Sequence, residues 1–188
     1  MLLLQEKIYE KLDYTTQPLR KGEYDNCTFY NCNFASVDLT GMVFTECVFN
    51  DCNFTMANLK GTAFKEVDFN GCKMTGLNFS VCEPFLLAMQ FTECQLNLAS
   101  FYGLKLKNTR FKKCSLEEAD LVQADFRNAA FDECNLSNAV FENTNLENSD
   151  LRTATNYSLD PEANRMTGAK FTVQGLPGLL NKYKLDIE

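Results

Sequence analysis

From Tyr24 to Leu151 a large apolar side chain returns at every fifth residue. One series runs through Tyr24, Phe29, Phe34, Leu39 and onward to Phe79; a second runs from Leu86 through Phe91, Leu96 and Phe101 to Leu151. Of the 16 phenylalanines, only Phe85 and Phe171 stand outside the two series. An amphipathic helix repeats its apolar positions at three and four residues, and a strand at two. A period of five fits neither. The chain has to turn a corner about once per repeat so that every Phe or Leu points at one axis, which describes a solenoid.

The cysteines set the length of one coil. Cys32, Cys52, Cys72, Cys94, Cys114 and Cys134 are spaced 20, 20, 22, 20 and 20 residues apart. Four repeats of five therefore make a coil, and equivalent positions stack at that interval. The single spacing of 22 spans the same stretch in which the apolar series jumps from Phe79 to Leu86. Two patterns carried by different residues thus locate one two-residue insertion.

Within each repeat the central Phe or Leu points inward and stacks on its equivalents in the coils above and below. The residue two before it is small (Ala, Cys, Ser, Thr, at times Val) and also faces in. The other three positions face solvent, and Gly41, Gly61, Gly71, Gly76 and Gly103 recur at the last of them, where the corner turns. Neighbouring coils should lie about 4.8 Å apart, the ordinary spacing between paired strands.

The repeats Ala57-Asn58-Leu59-Lys60-Gly61, Ala119-Asp120-Leu121-Val122-Gln123, Ala124-Asp125-Phe126-Arg127-Asn128 and Cys134-Asn135-Leu136-Ser137-Asn138 resemble the A(D/N)LXX motif of the pentapeptide-repeat family, as do Cys52-Asn53-Phe54-Thr55-Met56 and Cys32-Asn33-Phe34-Ala35-Ser36. The resemblance covers roughly residues 22 to 153. It implies an all-β solenoid, a right-handed quadrilateral β-helix of about six and a half coils, followed by a short helical C-terminal segment.

The ends are expected to differ from the repeats, because an open coil invites further stacking. Residues 1–21, with Leu2, Leu3, Leu4, Ile8, Tyr9 and Leu12 among charges, read as an N-terminal cap; residues 22–153 as the β-helix; and residues 154–188 as a C-terminal cap. Asp160-Pro161-Glu162 has the look of a helix start, with Asp as N-cap and Pro at the first helical position. The apolar tail supplies Leu176, Leu179, Leu180, Tyr183, Leu185 and Ile187. These either cap the last coil or form a homodimer contact, which several family members build from this region.

Composition narrows the chemistry. The net charge is −7, with no His and no Trp among 188 residues. Without His the usual general base and several catalytic triads are absent, and neither a phosphate-binding glycine loop nor a metal motif occurs. The chain reads as a non-enzyme with no cofactor. Its nine cysteines are odd in number and fall on ladder positions, so free thiols acting as small buried hydrophobes are expected rather than disulfides. Zinc is disfavoured, since thiols along one wall cannot converge tetrahedrally. Cys82, inside the insertion beside Glu83 and Pro84, is the one thiol expected to be exposed. The N-terminal segment is too short and too polar to span a membrane and lacks a signal-peptide pattern, and a cytoplasmic protein is expected.

Binding by shape and charge remains. The resemblance extends to the Qnr and MfpA quinolone-resistance proteins and to the microcin and albicidin immunity proteins, in length, in the single coil interruption and in the non-repeat C-terminal segment. It implies a DNA mimic that binds DNA gyrase or topoisomerase IV through acidic residues. Those available are Asp25, Glu46, Asp51, Glu66, Asp68, Glu93, Asp125, Asp132, Glu133, Glu147 and Asp150. A basic band of Lys105, Lys107, Arg110, Lys112 and Lys113 crosses this surface near the middle of the rod. The alternative is an interaction or scaffold module with another protein partner, engaged through the basic band or the C-terminal segment. Direct nucleic-acid binding is disfavoured, five basic residues in a chain of net −7 being few.

Overall fold

The computed structural model describes residues 2–186. Short strands succeed one another along the chain: β1 (Leu3–Gln5), β2 (Ile8–Glu10), β3 (Glu23–Asp25), β4 (Thr28–Tyr30), β5 (Val43–Thr45), β6 (Val48–Asn50), β7 (Ala63–Lys65), β8 (Val67–Asn70), β9 (Met89–Thr92), β10 (Arg110–Lys112) and β11 (Ala130–Asp132). They form two parallel sheets. The first is ordered β1-β3-β5-β7 and the second β11-β10-β9-β8-β6-β4-β2. Two further faces are held by rows of single parallel bridges. One runs from Asp13 through Asn33, Asn53, Lys73, Gln95, Ser115 and Asn135 to Thr155; the other includes Asp38 with Asn58, and Asn78 with Ser100, Asp120 and Val140. The result is a parallel β-solenoid of four faces.

Strands this short follow from the corners. Most repeats have one residue at positive φ, as at Asn26 (50°), Asn31 (52°), Ser36 (57°) and Gly41 (68°). That left-handed conformation redirects the chain, and Gly and Asn reach it at the lowest steric cost. Between corners only three or four residues remain extended.

The core is a set of stacked columns. On the second face the rings of Phe29, Phe49, Phe69, Phe91, Phe111 and Phe131 lie 4.6–5.4 Å apart, with planes within 12° of parallel. Adjacent columns meet edge to face, as Phe34 does with Phe49 at 5.8 Å and 79°. The small inward position has a polar duty as well as a packing one. Cys72 Sγ donates to the Phe49 carbonyl at 3.4 Å, and Thr62 Oγ1 and Thr144 Oγ1 donate to the equivalent carbonyls of Leu39 and Leu121 at 2.8 Å. A thiol and a hydroxyl interchange here because each fills the gap beside a ring and donates to the same carbonyl one coil back.

Pairing partners differ by 20 residues up to Phe49↔Phe69, by 22 at Phe69↔Phe91, and by 20 again at Phe111↔Phe131. The two extra residues leave the solenoid beneath β7. The Glu83 amide still donates to the Thr62 carbonyl and the Ala88 amide to that of Phe64, while the chain between them bulges outward. The first sheet consequently ends at β7, whereas the second continues to β11. Leu86, expected inside, sits on this bulge at φ 59° and is exposed; Leu87 packs on the core in its place. Cys82, expected outside, is buried against the core, and burial pushes its thiol up to about 12.

Residues 1–21 are expected as a cap; residues 2–21 instead supply a coil in register. β1 pairs with β3, β2 with β4, and Asp13 bridges Asn33. Leu4, Tyr9, Tyr14 and Leu19 carry the five-residue period one full coil earlier than Tyr24. At the other end Arg165 bridges Asn145 and Lys170 bridges Asp150, so the solenoid passes residue 153, with Met166 and Phe171 packed on the core. Asp160-Pro161 begins a turn rather than a helix: Asp160 Oδ1 accepts from the Glu162 amide and its carbonyl from the Ala163 amide. The helix comes later, as α1 (Pro177–Leu180) between two 3-10 turns, Val173–Gly175 and Asn181–Tyr183. No helix among the described residues is long and apolar enough to cross a membrane.

Candidate interaction surface

The solenoid sorts the acidic residues by column. Glu46 and Glu66 occupy the corner between the first and second faces, one coil apart, at φ 50° and 54°. Asp51 and Glu93 occupy the opposite corner of the second face, at φ 53° and 55°. Asp68 lies between the corners, on β8. A corner residue at positive φ has its side chain thrown clear of both faces, and all five carboxylates are exposed. Among the described residues Glu46, Asp51, Glu66 and Asp68 make no ion pair, and Glu93 has only Lys113 Nζ at 4.0 Å. Asp25, one coil earlier, is half-buried and accepts from Gln5 Nε2 at 2.7 Å. The N-terminal half of the second face is therefore bordered by free negative charge.

The C-terminal half is different. Asp125 is held by Arg127 at 2.7 Å and Lys107 at 3.8 Å, and Asp150 by Arg152 at 2.6 Å. Each arginine lies two residues beyond its carboxylate and donates from both Nε and Nη2. These guanidiniums hold both carboxyls below the usual carboxylate range. Asp132 accepts from Thr153 Oγ1 at 2.8 Å, Glu133 is exposed and Glu147 half-exposed. In the second half Asp125 and Asp150 are tied up in ion pairs, whereas among the described residues Asp132, Glu133 and Glu147 make none.

The five basic residues of the band fall on two adjoining faces. Lys105 and Lys107 flank Leu106 on the first face, Arg110 and Lys112 lie on β10, and Lys113 turns the next corner; all five are exposed. Its column on the first face runs Lys105, Asp125, Asn145, Arg165, so one carboxylate and one amide separate two cations. Above the band stands a feature that periodicity missed. Phe85 and Leu86 are 67% and 62% exposed on the insertion bulge, with Val81 beside them at 40%. The Glu83-Pro84 pair signals a turn there, but the count of five had assigned Leu86 to the core. An apolar knuckle thus projects from the first face at the insertion.

The C-terminal candidates divide. Leu179 packs on the core, and the Leu159 amide donates to the Gly178 carbonyl at 2.9 Å, so α1 lies against the last coil. Lys182 Nζ fastens the segment to Asp160 and Glu162 at 2.7 and 2.6 Å, and Tyr183 Oη donates to Glu162 Oε1 at 3.2 Å. Leu180 is half-buried; Leu176, Tyr183 and Leu185 remain exposed. Ile187 lies outside the described residues. Among the described residues no three Cys, Asp or Glu side chains converge to hold a metal ion.

Comparison with known proteins agrees with this architecture. Family models described as a pentapeptide repeat region and as pentapeptide repeats match residues 44–121 and 119–155 respectively. Trypsin-treated QnrB1, described as a plasmid-mediated fluoroquinolone resistance protein, superposes with TM-score 0.66 at 17% identity, covering 99% of this chain and 100% of that one. Full-length QnrB1 gives TM-score 0.55 at 20% identity over 97% and 100%. HetL, involved in heterocyst differentiation regulation in the cyanobacterium Nostoc sp. strain PCC 7120, gives TM-score 0.59 at 19% identity over 93% and 88%. No curated protein sequence matches the chain significantly. At these identities the structural likeness speaks to the fold. With the repeat, the four-faced solenoid and the family models in agreement, the chain belongs to the pentapeptide-repeat family.

Proposed function

We propose that this chain is a non-enzymatic protein-binding rod that occupies the DNA-binding surface of a type II topoisomerase, DNA gyrase or topoisomerase IV, and so protects it from quinolones or related toxins. The observation that carries the reading is the set of unpaired carboxylates Glu46, Asp51, Glu66 and Asp68 bordering one face. A protein surface built to hold phosphates offers Lys and Arg, and an exposed row of carboxylates on a rigid rod meets it with complementary charge. The likeness to QnrB1, itself a fluoroquinolone resistance protein, supports the choice of partner.

Gyrase supercoiling, with and without a quinolone, tests this as the protein is titrated at two salt concentrations. The expected result is drug protection or inhibition that weakens with salt and is lost in a Glu46→Lys/Glu66→Lys variant. A full response from that variant, or none from the native protein in large excess, overturns the reading. The second reading is an interaction or scaffold module with another protein, favoured by the exposed Phe85–Leu86 knuckle. An apolar contact of that kind is insensitive to salt and is lost in Phe85→Ser instead.

A further inference from the structure

Because residues 2–21 form a coil rather than a cap, the described residues present at this end of the solenoid an edge with no strand beyond it. β1 and β2 are the outermost strands of their sheets. Their hydrogen bonds to the coil below fix which backbone groups are used. The Leu2 carbonyl and Glu6 amide serve β3, and the Lys7 carbonyl and Lys11 amide serve β4. Strand groups alternate in direction, so the backbones of Leu3, Gln5, Ile8 and Glu10 point outward along the rod. Among the described residues no strand lies on that side. The side chains are unfinished in the same sense. Tyr9 stacks on Phe29 at 4.7 Å but has no ring above it, Leu4 is half-exposed, and Leu3 and Ile8 are 52% and 72% exposed.

We propose that this edge pairs with the same edge of a second copy, antiparallel, about a two-fold axis through the corner between Glu6 and Lys7. Three registers place outward-pointing groups opposite one another. β1 against itself sets Leu3 opposite Gln5, and β2 against itself sets Ile8 opposite Glu10 but also Lys7 opposite Lys11. The third sets β1 against the partner's β2, with Gln5 opposite Ile8 and Leu3 opposite Glu10. Only the third uses both strands of both copies at once. In it Glu6 of each copy meets Lys7 of the other, two opposite-charge pairs flanking the axis, and Leu4 lies over the ring of Tyr9 to complete its stack. Polarity, charge and core packing all select this register. It assigns self-association to the end opposite the C-terminal segment, which Lys182 binds back onto its own last coil.

The test is light scattering after size exclusion across a concentration series of the full chain, with variants at the axis. The native protein is expected to dimerise. Lys7→Glu sets four carboxylates around the axis and raises the dissociation constant roughly tenfold, two surface pairs being lost per dimer. The swap Glu6→Lys/Lys7→Glu restores native affinity, which a mere folding defect would not do. Gln5→Cys with Ile8→Cys closes an intermolecular disulfide under mild oxidation, since a hydrogen-bonded antiparallel pair holds Cα atoms about 5.5 Å apart; neither single variant does. A monomer at every concentration, a dimer indifferent to Lys7→Glu, or a dimer dispersed by Leu185→Asp but not by the axis variants overturns the proposal.

Discussion

Phe34 and Phe54 stand one coil apart with ring centroids 4.6 Å apart and planes 5° from parallel. Each is fully buried, and Cys52 fills the space beside the second ring. Truncating Phe54 to Ala removes the ring between two neighbours that the backbone ladder holds in place, so the cavity cannot collapse. The expected loss is about 3–5 kcal/mol. Phe54→Leu costs less, because Leu96, Leu116 and Leu136 occupy the same column further down. Urea unfolding at constant m-value checks both, and equal midpoint shifts would contradict the account.

Corner positions should differ by what lies one coil away. Gly41 (φ 68°) has open space where a Cβ would stand, while a Cβ on Gly71 (φ 62°) would collide with the Asp51 carboxylate. Gly41→Asn should leave the unfolding midpoint nearly unchanged, since Asn26 and Asn31 hold the same backbone conformation in this rod. Gly71→Val puts a β-branched residue at positive φ and pushes the exposed Asp51 side chain aside, and a cost on the order of 1–3 kcal/mol follows from the backbone strain. The comparison is read from the two thermal midpoints.

The interior of the rod was legible because one residue in five had to be large and apolar, and another small. Where the physics of the interior lapses, the pattern hides. In the first coil Lys7, Leu12 and Gln17 stand where Cys or Ala stands elsewhere, and among the described residues no coil lies beyond them. The period through Leu4, Tyr9, Tyr14 and Leu19 is concealed for that reason. At the other end Asn156 falls on the period but is exposed, and Tyr157 turns in instead. The insertion was found to the residue pair, yet which side chains it ejected was not. Sequence counts residues, whereas the backbone bonds of Glu83 and Ala88 decide where the chain leaves the wall.

The acidic surface shows the same division. Outward positions followed from the repeat, so each carboxylate was placed on a corner or face. Pairing needs more than the repeat: Asp125–Arg127 and Asp150–Arg152 join neighbours two apart along one rung, the two places where a cation follows a carboxylate at that spacing.

Thiol chemistry should be silent in the native protein. All nine cysteines are buried and free, and burial pushes the Cys47 and Cys82 thiols up to about 12. Nucleophilic thiolate is scarce under those conditions, and reagent has no path to it. Iodoacetamide at mildly alkaline pH is expected to label none of the nine until denaturant is added, read by intact mass. Rapid labelling of Cys82 alone would show that the insertion opens independently of the solenoid.

The fastening of the C-terminal segment should depend on pH in one direction. Lys182 holds the Asp160 and Glu162 carboxyls below their ordinary 3.8 and 4.5. A carboxylate with a lowered folded-state value stabilises fully above its unfolded value and loses that contribution as pH falls through the folded one. The contact is therefore intact at neutral pH and released in acid below about pH 4. Amide resonances of Leu159 and Leu179 should shift together through that range while those of Phe49 and Phe69 stay fixed. Lys182→Gln should bring the two amides to the released positions at neutral pH and leave them insensitive to acid. If the native resonances do not move in acid, the apolar seat of Leu179 and the bond from Leu159 to Gly178 hold the segment without the ion pairs.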